Sequence, residues 1–137
     1  MITNKNKIKL VFITLILDFF LIYIYLNREL VEIDKLFIEC ILFIHTLFFI
    51  ALYKSYYKLI DILHIFVFPS FFCFFIIKNF ELKLLLLFLL SLIQILWIWE
   101  GTCIMNTKNV VFQEFFNKCF HSVVFIYYSI CCIFLRK

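Results

Sequence analysis

The chain has one glycine, Gly101, one proline, Pro69, and one alanine, Ala51, in 137 residues. A single glycine leaves no room for a phosphate-cradling loop or a dinucleotide fingerprint, each of which needs several glycines in close succession. It also rules out the Gly-xxx-Gly stripe that lets two membrane helices touch backbone to backbone. Charge is scarce as well, at 16% of residues, and apolar residues make up 66%, against roughly 25% and 45–50% in ordinary soluble domains. A soluble chain of this size leaves about 30% of its unfolded surface exposed and needs polar residues to cover it. Those residues are missing here. There is no Cys-x-x-Cys, which removes the usual signature of a membrane thiol oxidoreductase. His-Glu-x-x-His, nucleophile-elbow and zinc-finger spacings are absent too.

What is present is a succession of long apolar runs separated by short connectors that hold most of the Lys and Arg, the layout of a chain threaded repeatedly through lipid. The sequence therefore predicts an all-α integral membrane protein, a single domain over 1–137 forming a bundle of five transmembrane helices. The expected spans are 8–26, 36–53, 59–77, 84–99 and 119–135. The 21 Phe, with many Ile, Leu, Lys, Asn and Tyr, are residues of AT-rich codons. Their number is not in itself a functional signal.

The first run, Ile8 to Leu26, follows Lys5, Lys7 and Lys9. It exceeds the 7–15 residues of a signal h-region and lacks an Ala-x-Ala cleavage pattern, so it is expected to stay as the first membrane helix. Asp18 near its centre costs about 2.5–3.5 kcal/mol on an insertion scale, which the surrounding Leu, Ile, Val and Phe at about −0.3 to −0.6 each outweigh. Thr14, Asp18 and Tyr25 fall on one helical stripe, which should face protein.

The third run contains Pro69, expected to kink the helix and free a carbonyl near Ile65. Trp97 and Trp99 mark the interfacial end of the fourth, and Glu100–Asn109 is expected to be an ordered loop outside the membrane. The fifth begins as an amphipathic segment, with Gln113, Glu114, Asn117, Lys118 and His121 opposite Phe112, Phe115, Phe116 and Phe120, before turning fully apolar. An interfacial helix running directly into a span accounts for this pattern. The alternative is a four-helix bundle with an amphipathic C-terminal helix lying on the surface.

Ionisable residues within apolar helices are rare and expensive, so Asp18, Glu39, His45, Asp61 and His64 form the candidate intramembrane polar cluster. Asp61 and His64 share a helix face, and His45 and His64 lie at similar depths on either side of a short turn. Two histidines and a carboxylate are chemically able to ligate a metal, but the spacing has no metal-site signature. The plainer reading is helix-packing polar groups, with no metal and no cofactor expected. Adjacent Cys131 and Cys132 read as small packing residues, and Cys103 and Cys119 form a disulfide only if the loop between them folds back.

The 13 basic residues sit in twos and threes at segment ends, not on one basic face, which excludes nucleic acid as a partner. The expected partners are the lipid bilayer and either other membrane proteins or a second copy of the chain. With a cytosolic N-terminus and five spans, Lys5, Lys7, Lys9, Lys54, Lys58, Lys108 and Lys118 share one side, and Arg28, Lys35, Lys78, Lys83, Arg136 and Lys137 the other. That is nearly even, so orientation rests on the triple lysine before the first run. The leading functional expectation is a non-enzymatic structural or accessory membrane subunit. The alternatives are a channel or proton-coupled transport component using the intramembrane Asp and His residues, and a membrane-embedded, metal-dependent lipid enzyme.

Overall fold

The computed structural model describes residues 4–100 and 110–135, and these are all-helical, with no strand among them. Of the expected loop at Glu100–Asn109, Glu100 closes α4, and the remainder, the Cys103–Cys119 pairing and the side chains of the stripe from Gln113 to His121 lie outside the described residues. Five α-helices follow one another: α1 (Asn4–Asn27), α2 (Glu32–Lys54), α3 (Tyr57–Phe72), α4 (Phe80–Glu100) and α5 (Val110–Leu135). A 3-10 turn, Cys73–Phe75, extends α3. Three helical stretches are long and apolar enough to cross a membrane: Asn6–Asn27, Glu32–Lys54 and Tyr57–Phe75. Ser122–Leu135 is a shorter apolar helix.

The helices zigzag. The start of α1 lies beside the turn that ends α2, where Lys7 Nζ is 2.7 Å from Ser55 Oγ. The end of α1 lies beside the start of α4, where Arg28 meets Glu81. Helix α1 packs on both α2 and α4, α2 packs on α3, and α5 packs on α4 and on the 3-10 turn. The end of the bundle holding the α1–α2 connector and the start of α4 is called the connector end here, and the opposite one the lysine end.

Two apolar clusters hold the helices together. At the connector end, Leu21, Ile24, Ile38, Phe74, Ile77, Leu82, Leu86, Leu87 and Cys131 draw in all five helices but α3, which enters through its 3-10 extension. Cys131 is fully buried there, whereas Cys132 is exposed. At the lysine end, Leu10, Phe48, Ala51, Leu52, Ile60 and Leu63 join α1, α2 and α3. Ala51, the only alanine, is fully buried at this contact, where a larger side chain would hold the helices apart.

Apolar side chains face outward on every helix, among them Ile8, Phe19, Phe43, Phe66, Phe88 and Phe125. Only 22–25% of the three apolar windows is buried inside the chain. Soluble monomers rarely expose apolar patches beyond a few hundred Å², so this surface is suited to lipid.

The turn between α2 and α3 is a Schellman motif: Tyr56 N–H donates to Ala51 O at 2.9 Å and Ser55 N–H to Leu52 O at 3.3 Å. Ser55 takes the left-handed conformation, φ 57°, that glycine would ordinarily supply. Lys7 reaches this helix end, with Nζ 3.4 Å from Leu52 O, and so places a cation at the negative end of the α2 dipole. In α3 the helix runs on through Pro69, and α geometry gives way to 3-10 only at Cys73. Side chains serve the carbonyls of this stretch: Ser70 Oγ donates to Val67 O at 2.6 Å, and Tyr127 Oη donates to Phe71 O.

Candidate functional site

Three polar side chains of α1 reach α2 or the turn that follows it. Asp18 Oδ1 lies 2.5 Å from His45 Nδ1, with both side chains about five-sixths buried, at 15% and 17% exposure. The pair joins a carboxyl group on α1 to an imidazole on α2 through Nδ1, with Nε2 on the far side of the ring. Two turns along α1, Tyr25 Oη donates to Glu39 Oε1 at 2.7 Å. Together with Lys7 on Ser55, these make three polar rungs across the α1–α2 seam. Thr14 belongs to the same stripe and is buried, yet its hydroxyl turns back to Leu10 O at 2.8 Å, within its own helix. Thr46, Ser91 and Ser129 do likewise, with Leu42 O, Leu87 O and Phe125 O. This is how a hydroxyl is satisfied in a helix without any partner.

The five candidates therefore do not close into one ligand set. Asp18 and His45 meet each other, and Glu39 meets Tyr25. Asp61 and His64 are half-buried on α3, each with interactions of its own. Among the described residues no three His, Cys, Asp or Glu side chains come together as a metal site requires.

The most completely buried carboxylate among the described residues belongs to Asp34, which the sequence places in a polar connector. It sits in the first turn of α2 at 1% exposure, and its two carboxylate oxygens accept backbone N–H bonds from Lys78 (2.9 Å) and Asn79 (2.8 Å). Asn79 in turn caps α4, its Oδ1 accepting from Leu82 N–H at 2.9 Å. One carboxylate thus ties the start of α2 to the entry of α4 and places negative charge at the positive end of the α4 dipole.

Nearby, Arg28 binds Glu81 side-on, Nε to Oε2 at 2.8 Å and Nη2 to Oε1 at 2.7 Å. The Glu81 carboxylate holds the Arg28 guanidinium above its ordinary pKa. A single sequence offers no local signal for either arrangement, because the partners are more than forty residues apart.

Tyr127 on α5 docks against the end of α3. Its ring packs edge-on against Phe71, Phe72 and Phe75, and Phe134 packs on Phe75. Between α4 and α5 runs an open groove of about 560 Å³, lined by Ser91, Gln94, Ile95, Ile98, Val124, Phe125 and Tyr128.

The chain matches no protein-family model, no curated protein and no solved structure. Its functional reading rests on the residues alone.

Proposed function

We propose that the chain is a multi-pass integral membrane protein of five spans acting as a non-enzymatic structural or accessory subunit. One observation carries this reading. Four polar contacts among the described residues join one helix to another or to a connector, namely Asp18–His45, Tyr25–Glu39, Arg28–Glu81 and Asp34 with the Lys78 and Asn79 amides, while the apolar faces turn outward. Such a body offers other membrane proteins a surface of Leu, Ile and Phe, with little in the way of a hydrated path. The continuous helix α5 favours a fifth span over a separate surface helix. Crosslinking in native membranes, followed by mild detergent extraction, tests the subunit role. A strictly monomeric protein with no crosslinked partner contradicts it. Reporters fused near Lys5 and after Lys137 should lie on opposite sides of the membrane; same-side signals mean four spans.

A second reading, a channel or proton-coupled transport component, is favoured by the Asp18–His45 pair, whose two titratable groups retain some exposure in the middle of apolar helices. Reconstitution into liposomes holding a pH-sensitive dye decides it, and proton flux no greater than in empty vesicles ends it.

A further inference from the structure

Among the described side chains, the two ends of the bundle carry similar numbers of cations but very different numbers of carboxylates. At the connector end, Arg28, Lys35, Lys78 and Lys83 are accompanied by Glu29, Glu32, Asp34, Glu39 and Glu81. There Arg28 is held by Glu81, and Lys83 lies over the Phe74 ring at 5.5 Å. At the lysine end, the described side chains include Lys7, Lys9, Lys54 and Lys58, with Asp61 as the accompanying carboxylate.

The partners of Lys7 are neutral: the Ser55 hydroxyl, the Leu52 carbonyl and the Tyr57 ring at 6.0 Å. Lys54 and Lys58 bracket the α2–α3 turn, both exposed and neither in an ion pair among the described residues. Tyr53 and Tyr56, at 89% and 58% exposure, stand beside them, and tyrosine prefers the headgroup level of a bilayer. Lys54 and Lys58 are thus gathered by the fold at one turn braced by Lys7, with no ion pair to either among the described residues.

We infer that this end of the bundle, built from the first turns of α1 and the α2–α3 turn, binds the headgroups of anionic phospholipids in its own leaflet. The inference rests on the membrane-spanning reading proposed above. An ammonium at headgroup level attracts an anionic lipid by about fivefold per residue. Carboxylates at the connector end cancel the same attraction there. The preference also sets orientation, because the lysine end belongs in the leaflet richer in anionic lipid.

The chain contains its own reporter. Its only tryptophans, Trp97 and Trp99, lie in the last turn of α4, at the lysine end. The full chain is reconstituted into phosphatidylcholine vesicles containing a minor fraction of brominated phosphatidylserine or, in parallel, the same fraction of brominated phosphatidylcholine. Resistance of the incorporated protein to alkaline carbonate extraction is checked first; release at that step contradicts the membrane-spanning reading itself, before any lipid preference is measured.

For retained protein, tryptophan quenching should be several-fold more effective with the brominated phosphatidylserine. The difference should shrink toward none in Lys54→Gln/Lys58→Gln and in high salt, where exposed charges are screened. Lys35→Gln/Lys78→Gln at the connector end should leave it unchanged. Equal quenching by the two lipids in the native chain overturns the inference. So does a preference that survives in Lys54→Gln/Lys58→Gln, or one that is lost equally with the connector-end pair.

Discussion

Replacing Asp34 is the most informative perturbation of the fold, because its carboxylate is almost fully enclosed and its partners are backbone groups that no side-chain change can remove. Asp34→Ala deletes two hydrogen bonds to a charged acceptor, each worth about 1.5–3 kcal/mol. Lys78 is exposed and Asn79 half-buried, so water can take over part of the lost bonding, and the expected loss is about 2–4 kcal/mol. Asp34→Asn keeps the shape and one carbonyl oxygen but turns an NH₂ toward an N–H donor, for an expected loss of about 1–2 kcal/mol. Lys78→Ala is the control: the bond comes from the Lys78 main chain, so removing its side chain should be nearly neutral. Chemical denaturation in detergent micelles gives the stabilities, and hydrogen exchange read by mass spectrometry over 76–80 gives the local effect. Protection there should collapse in Asp34→Ala and persist in Lys78→Ala. An Asp34→Ala protein within about 0.5 kcal/mol of the native chain, with exchange over 76–80 unaltered, refutes the reasoning.

Three further expectations follow from the geometry. Asp18→Asn and His45→Gln should each destabilise the chain by about 1–3 kcal/mol, less than the 3–5 kcal/mol of a fully enclosed pair, and the double variant should lose less than the sum of the two, since neither group is then left facing an absent partner; additive losses in a denaturation cycle contradict a direct Asp18–His45 interaction. Tyr127→Phe keeps the ring against Phe71, Phe72 and Phe75 and should cost about 1 kcal/mol for the lost bond to Phe71 O, whereas Tyr127→Ala empties the aromatic contact and should cost about 3 kcal/mol or more; equal losses for the two would place the stabilisation in the hydroxyl alone. Ser55→Gly relieves the left-handed backbone but gives up the Lys7 contact, so it should change stability by no more than about 1 kcal/mol, while Ser55→Val, which brings a β-branched side chain to positive φ, should cost about 1–3 kcal/mol; a Val variant as stable as the native chain shows that the turn is not held in that conformation.

The helices were legible because the signals that make them are local. Apolar runs bounded by Lys and Arg place the five elements, and the observed helices begin earlier and mostly end later than the apolar runs alone suggest, since Glu32 and Lys54 extend a helix about as readily as Leu does. Pro69, where the sequence predicts a kink, lies inside α3, which continues to Phe72 before the change to 3-10 geometry at Cys73. Asp18 drew attention because a carboxylate among Leu, Ile and Phe contradicts its surroundings. Asp34 drew none, because Val31-Glu32-Ile33-Asp34-Lys35 reads as an ordinary polar connector. Which of two carboxylates is enclosed depends on where the α3–α4 connector returns, and no local pattern encodes that. Of the candidate polar residues, Asp18 meets His45 and Glu39 meets Tyr25, pairings that need the angle between side chains on two helices as well as their depth.

That division explains what the polar pairs do in a chain so poor in small residues. In lipid, apolar helix faces gain little by choosing one neighbour over another, since acyl chains are as apolar as Leu. Two faces of Leu, Ile and Phe also pack nearly as well after one helix slides by a turn, about 5.4 Å, along the other. The rungs between α1 and α2 do not tolerate such a slide. Lys7 with Ser55, Asp18 with His45 and Tyr25 with Glu39 are spread along nearly the whole length of α1, so a one-turn shift breaks all three together and leaves polar groups facing hydrocarbon. Asp34 and the Arg28–Glu81 pair impose the same condition on α4 through its first turn. The apolar residues make insertion favourable in many registers, and a few polar contacts, each modest in energy, leave one of them fully satisfied.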